Sequence, residues 1–197
     1  MNHPKTLLEM AGADLAPARL DEACLMLIDC QNEYLEGPLA LPGVAPAVDA
    51  AGRLLARARA SRTPVFHVAH GGGKDGLFDR DAWRGAFIDG IGPLPGETVI
   101  EKALPNSFAD TGLGPALAET GRRKLIVAGF MTHMCVSATV RAALDLGYMS
   151  TIVSDACATR DLPDGSGGII DAGTVHRVAL AELADRFAIV ARTAGTI

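Results

Sequence analysis

The stretch KLIVAGFMTHMCVSATVRAALDLGY, Lys124 to Tyr148, decides the fold. Leu125 to Ala128 is a continuous apolar run between a basic residue and a glycine, the signature of a strand covered on both faces in a parallel sheet. Gly129 to His133 reads as a sharp turn. From about Met134 to Gly147 the pattern changes to helical: Val136, Val140 and Ala143 share one face, and Gly147 stops the helix. Cys135 therefore falls on the first helical turn. Unpaired N–H groups and a partial positive charge collect there, which favours a thiolate and could hold an oxyanion. The position alone fits a buried structural cysteine equally well.

Outward from this stretch the chain alternates. Ala23 to Asp29 (ACLMLID) is a strand ending in an acid, Pro46 to Ala60 a helix, and Pro64 to His70 (PVFHVAH) a second strand. Thr98 to Lys102 (TVIEK) is a short strand ending in a lysine, followed by a helix near Leu113 to Thr120. Met149 to Asp155 is a strand, Ala172 to Ala184 a helix and Ala188 to Ala191 a last strand. This rhythm predicts an α/β fold: a three-layer α-β-α sandwich around a mostly parallel, Rossmann-like sheet with right-handed crossovers. The whole of 1–197 reads as one domain, with 1–22 as an N-terminal extension. Between the second and third strands lies the Gly-rich loop Gly71 to Gly96, long enough to suggest function. It matches no phosphate-binding pattern, so a substrate-covering or subunit-contact segment is expected, with Phe78, Trp83 and Phe87 as candidate pocket walls or as packing onto the sheet.

Ligands bind parallel sheets at the carboxyl ends of strands. Asp29 ends the first strand, Lys102 ends the third and Cys135 follows the fourth. Adjacent strand ends lie about 5 Å apart, so the three can converge. A nucleophilic thiol needs a base for its proton and a cation to favour the thiolate, and this trio supplies both. Singly, each has a plainer reading, the aspartate as a turn cap and the lysine as a solvated charge.

Composition removes other classes. With 49% hydrophobic and 21% charged residues the chain is globular, not disordered. A net charge of −5 argues against nucleic-acid or anionic-membrane partners. No apolar run reaches the ~20 residues of a membrane span, and the N-terminus lacks a signal-peptide pattern, so a cytoplasmic protein is expected. Of four cysteines, three fall in or beside apolar strands, which favours reduced thiols.

The pieces LMLIDCQNEY (Leu25 to Tyr34), VIEKALPNSF (Val99 to Phe108), AGFMTHMCVSATVRAALDLGY (Ala128 to Tyr148) and STIVSDACATR (Ser150 to Arg160), in this order, resemble the isochorismatase-like cysteine hydrolases. The resemblance runs from about Ala23 to Val190. It implies Asp29 as acid/base, Lys102 as the family lysine and Cys135 as nucleophile. It also implies a non-proline cis peptide between Phe130 and Met131 that aims the Met131 N–H, beside that of Cys135, into an oxyanion hole. The implied reaction is hydrolysis of a carbon–nitrogen bond in a small amide, ureido or carbamoyl compound, with a dimer or tetramer as the assembly. The vinyl-ether cleavage of isochorismatases proper, many of which lack the cysteine, is the runner-up, and a non-catalytic protein retaining the fold is the third reading.

Nicotinamidases in this family carry an Asp-x-His pair and further metal-binding histidines. No such cluster is present here, and His67 and His70 face opposite sides of one strand, so no metal and no cofactor is expected. His70, Trp83, Phe108, Phe130 and Met134 are carried as candidate substrate contacts. His67 reads as a packed strand residue, Thr132 as a hydroxyl that holds the turn, and Cys30 as pointing away from Asp29. Arg160 and Asp161 could contact an acidic substrate group or each other, and His176 reads as a surface or subunit contact.

Overall fold

The structure is a computed structural model that describes residues 3–197. A short helix α1 (Leu7–Met10) precedes β1 (Ala23–Ile28), α2 (Val44–Ala60), β2 (Val65–His70) and β3 (Thr98–Lys102). Then follow α3 (Leu113–Glu119), β4 (Lys124–Phe130), α4 (Ser137–Asp145) and β5 (Met149–Ala158). A hairpin of two-residue strands, β6 (Leu162–Pro163) and β7 (Ile169–Ile170), leads to α5 (Ala172–Arg186) and β8 (Ala188–Ala191).

Six strands form one sheet in the order β3-β2-β1-β4-β5-β8, and every pairing is parallel. Strand alternation divides the core in two. Leu25 and Leu27 of β1, with Ile126, Ala128 and Phe130 of β4, face α2, whose Ala47, Ala50, Ala51, Leu54, Leu55 and Ala58 form a buried stripe at helical spacing. Met26, Ile28, Leu125 and Val127 face the other way, onto Leu113 and Leu117 of α3, Val140 and Ala143 of α4, and Leu180 and Leu183 of α5. Helices on both faces thus make the three-layer sandwich. Ahead of β1, Leu8, Ala18 and Leu20 are buried, and the Ala18 N–H donates to Thr151 Oγ1 of β5.

Two boundaries differ from the sequence reading in ways that matter for function. The helix expected from about Met134 begins at Ser137; Thr132–Val136 is instead a π-helical turn holding Cys135. Such turns recur at functional sites and carry no distinguishing sequence signal. β5 runs past Asp155 to Ala158, because Gly129 and Phe130 of the longer β4 pair with Cys157 and Ala158 after a register shift. No helix among the described residues is long and apolar enough to cross a membrane.

Candidate active site

The sheet order sets Lys102 on β3, His70 on β2, Asp29 just after β1 and Cys135 just after β4 along one carboxyl edge. Asp29 leaves the strand with φ 51°, a left-handed conformation that Asp tolerates, while its N–H still donates to Val68 O of β2. Next to it, β1 and β4 approach so closely that a Cβ on Gly129, which sits at φ +122°, would lie 2.0 Å from Ile28 O. Only glycine fits there, and the close approach brings the Cys135 turn up to Asp29.

Lys102 reaches across β2 to the centre of the site. Its Nζ donates to Asp29 Oδ2 at 2.8 Å, to His70 Nδ1 at 3.2 Å and to Cys135 Sγ at 3.4 Å. Three acceptors thus match the three N–H donors of one ammonium. Asp29, Lys102 and Cys135 are all buried. Asp29 Oδ1 is buried with no hydrogen-bond partner, leaving an acceptor lobe open for a proton or a ligand.

The electrostatics correct one expectation. The sequence placed the thiol where a helix terminus favours thiolate. In the structure burial, and then the charge of Asp29, push the Cys135 thiol up to about 12 against the opposing pull of Lys102. The resting site is therefore a neutral thiol beside an ion pair. Burial also raises Asp29 above the ordinary carboxylate range, although Lys102 opposes it. His70 is lowered, first by burial and then by Lys102, so the imidazole is neutral and its Nδ1 accepts from the ammonium.

The turn carrying Cys135 is held from behind. The peptide bond between Phe130 and Met131 is cis. Thr132 Oγ1 donates to Ala158 O at 3.1 Å, so its hydroxyl does hold the turn. The same oxygen lies 2.9 Å from His176 Nδ1, and His176 Nε2 lies 3.3 Å from Ser154 Oγ. His176 is thus a bridge between α5, the turn and β5, which corrects its reading as a surface or subunit contact. Its partner lies 44 residues away in the chain, beyond the reach of local pattern.

A second framework missed from sequence is the QNEY segment after Asp29. Gln31 is buried; its Nε2 donates to His70 O at 3.0 Å and Gly85 O at 2.8 Å, and its Oε1 accepts from the His70 N–H at 2.8 Å. Asn32 Nδ2 donates to Trp83 O at 2.9 Å, and Glu33 accepts from the Phe78 N–H at 3.0 Å and from Arg84 at 3.4 Å. Three consecutive side chains therefore staple the inner edge of the 71–96 loop to the end of β1.

The candidate substrate contacts separate. His70 joins the site through Lys102. Met134 borders Cys135 and is 38% exposed, open to a ligand. Phe130 is instead fully buried, its ring set edge-on to Tyr34 at 5.6 Å, because it belongs to the α2-facing side of β4. Phe108 stacks on Tyr148 at 6.1 Å and packs against the opposite core, so it supports the sheet. Trp83 is 53% exposed and joins the site region only through its carbonyl. Phe78 packs edge-on to His70 at 5.0 Å and Phe87 to His67 at 5.8 Å. His67 is buried with its Nε2 2.8 Å from Glu97, on the side away from the thiol, and Cys30 lies in the core on that side too. Arg160 donates to Asp161 O, while Asp161 accepts from the Ala172 N–H at the start of α5. A cleft of about 390 Å³ borders Lys102 and is lined by Gly71, Gly72, Glu101, Leu104 and Asp110.

Comparison with known proteins agrees with the fold. Residues 23–195 match the isochorismatase domain. The structure superposes on a crystal structure of an isochorismatase from Pseudomonas putida KT2440 with a TM-score of 0.95 and 49% identity, covering 99% of this chain and 100% of that one. The secreted isochorismatase effector Isc1 of Verticillium dahliae is 35% identical over 90% of this chain and 92% of its own. Streptothricin hydrolase of Streptomyces noursei is 36% identical over 86% and 62%, and maleamate amidohydrolase of P. putida 29% over 75% and 77%. The chain belongs to the isochorismatase family of hydrolases.

Proposed function

We propose that this protein is a cysteine-dependent hydrolase that cleaves a carbon–nitrogen bond of a small amide, ureido or carbamoyl compound. The observation that carries the reading is the Lys102 ammonium, 2.8 Å from Asp29 Oδ2 and 3.4 Å from Cys135 Sγ inside a buried site. An uncharged thiol is a poor nucleophile, and here a carboxylate stands ready to take its proton. Asp29 accepts the Sγ proton and becomes neutral. The thiolate attacks the carbonyl carbon, and the carbonyl electrons move onto oxygen. Backbone N–H groups of Met131 and Cys135 are the donors assigned to that oxyanion. As the tetrahedral species collapses, Asp29 returns its proton to the leaving nitrogen. The C–N bond breaks and a thioester or thiocarbamate remains on Cys135. Asp29 then deprotonates water for attack on the same carbon, and the expelled thiolate regains its proton from Asp29. Lys102 stays charged throughout and lowers the energy of each anionic form.

The raised Asp29 suits this cycle, because a buried carboxyl that holds a proton more readily than a free one can both take and return it. The amidohydrolase and hydrolase names among the relatives support the reaction class. The four unpaired cysteines are in keeping with a reducing compartment, the cytoplasm. A homo-oligomer, dimer or tetramer, belongs to the same reading and is checked by light scattering.

The deciding experiment measures ammonia release from small amides, carbamoyl amino acids and ureido acids by wild type, by Cys135→Ala and with added chelator. The expected result is turnover that vanishes in Cys135→Ala and survives the chelator. No turnover on any member, with isochorismate consumed equally by wild type and variant, would overturn the thiolate mechanism in favour of vinyl-ether cleavage.

A further inference from the structure

Asp29, His70 and Cys135 each offer one ligand atom, and these atoms lie within 4.8 Å of one another. Carboxylate oxygen, imidazole nitrogen and thiolate sulfur form a donor set of the kind that holds Zn²⁺. A cation already stands among them: Lys102 Nζ is 2.8, 3.2 and 3.4 Å from Asp29 Oδ2, His70 Nδ1 and Cys135 Sγ. A zinc ion holds such ligands at about 2.0–2.3 Å, so replacing the ammonium asks each donor to close in by roughly 1 Å. Two further observations point to a ligand here. Asp29 Oδ1 is buried and unpartnered, an acceptor the ammonium does not satisfy. The backbone that carries the imidazole is held by Gln31, which brackets His70 at both its N–H and its carbonyl, and the ring itself lies edge-on to Phe78 at 5.0 Å.

We propose that Asp29, His70 and Cys135 form a latent site for a thiophilic divalent cation of the Zn²⁺ class, occupied in the resting protein by the Lys102 ammonium, so that the ion acts as an inhibitor competing with Lys102. Binding displaces the ammonium from the centre and releases the Cys135 proton to solvent as the S–metal bond forms. The thiol that would attack a carbonyl is then a metal ligand, and the carboxylate that would take its proton is another. Lys102 accordingly has a second role: besides favouring anionic forms, its charge excludes metals from a donor set that would otherwise bind them. Two of the three donors belong to the proposed catalytic set, so the inhibition rests on that function; the metal binding does not.

Binding is therefore read without turnover. Co²⁺ is titrated into Lys102→Met and followed by its sulfur-to-cobalt charge-transfer absorption. One ion per chain is expected, roughly 100-fold tighter than in wild type because the like charge is gone. The band disappears in Lys102→Met/Cys135→Ser and weakens at least about tenfold in Lys102→Met/His70→Gln. Should Lys102→Met fail to fold, the decision passes to wild type: Zn²⁺ is expected to slow alkylation of Cys135 by iodoacetamide, with the site of alkylation identified by mass spectrometry, and His70→Gln is expected to relieve that protection. No sulfur–metal band in folded Lys102→Met, a band indifferent to Cys135→Ser, or no protection of wild type overturns the proposal. If the band appears in Lys102→Met while wild type turns over no amide, the metal site stands and the amidohydrolase reading falls.

Discussion

At the scale of single residues, the candidate site holds a thiol that burial keeps protonated. Cys135 is pushed up to about 12 by burial and by Asp29, so iodoacetamide should alkylate it at a rate that climbs steadily from about pH 7 to about pH 10. A plateau beginning near neutrality would mean that thiolate is the resting form. Gly129 allows no side chain: its Cβ would meet Ile28 O at 2.0 Å, at a backbone angle that side chains rarely adopt. Gly129→Ala should cost at least about 3 kcal/mol, visible as a lowered urea midpoint, or should prevent soluble expression. His176 acts through the turn and touches no reacting atom. His176→Ala should lower kcat about 10- to 100-fold with little change in KM, since small misplacements of a nucleophile weigh on the chemical step. Asn, whose amide N–H reaches where Nδ1 stood, should restore much of it. An equal loss in both variants, tracking lost stability, would show that His176 serves only the fold. The sequence reading puts Gly129 at the start of a turn, whereas it lies within β4 against Ile28, and neither that approach nor the role of His176 has a local signal, because each is a contact between elements.

At the scale of elements, the 71–96 loop, which carries a single 3₁₀ turn at Trp83–Gly85, shows how a largely irregular segment becomes part of a candidate site. Gln31, Asn32 and Glu33 donate to or accept from its backbone at four points, and Phe78, Ile88 and Ile91 are buried beneath it. Gly85 is required for the chain to fold back on itself, since a Cβ there would lie 1.9 Å from Asp79 O. The loop's length and composition announced a functional segment, and QNEY was visible as motif context. What it holds could not be read, because each bond crosses 45 to 54 residues of sequence and ends on a backbone atom. Glu33→Ala should leave the buried Phe78 N–H without a partner, at about 1–3 kcal/mol. Protease cleavage within 71–96 should then become faster and KM should rise more than kcat falls. If cleavage and KM match wild type, the loop is held by its apolar residues alone. The π-helical turn taught a similar lesson: its residues are those of a good helix start, and tertiary bonds from Thr132, not local propensity, choose the wider turn.

At the scale of the whole molecule, sheet order does the positioning. Apolar runs revealed the strands, and the residues ending them revealed Asp29 and Lys102; the order β3-β2-β1-β4 then decides that Lys102 must cross β2 to reach Asp29, which places His70 against its ammonium. No local pattern encodes that crossing. At the opposite end of the sheet one charge ties α2, β2 and the loop before β3 together. Glu97 accepts from Arg59 of α2 at 2.8 and 2.9 Å, from the Leu94 N–H at 2.8 Å, and lies 2.8 Å from His67 Nε2 of β2. The Arg59 guanidinium first, with the Leu94 N–H and His67 adding, holds Glu97 at about 2 despite partial burial, against 4.5 for the free side chain. Folding thus favours the ionised form. The stabilisation, up to about 3 kcal/mol, is fully present above about pH 4.5 and is lost as pH falls toward 2. Glu97→Gln should be less stable than wild type at neutral pH, and the difference between their urea-derived stabilities should shrink steadily below about pH 4.5, the two proteins converging near pH 2. A difference that stays constant across the acid range would mean that the carboxylate's charge contributes nothing and that the clamp works by shape and neutral hydrogen bonds.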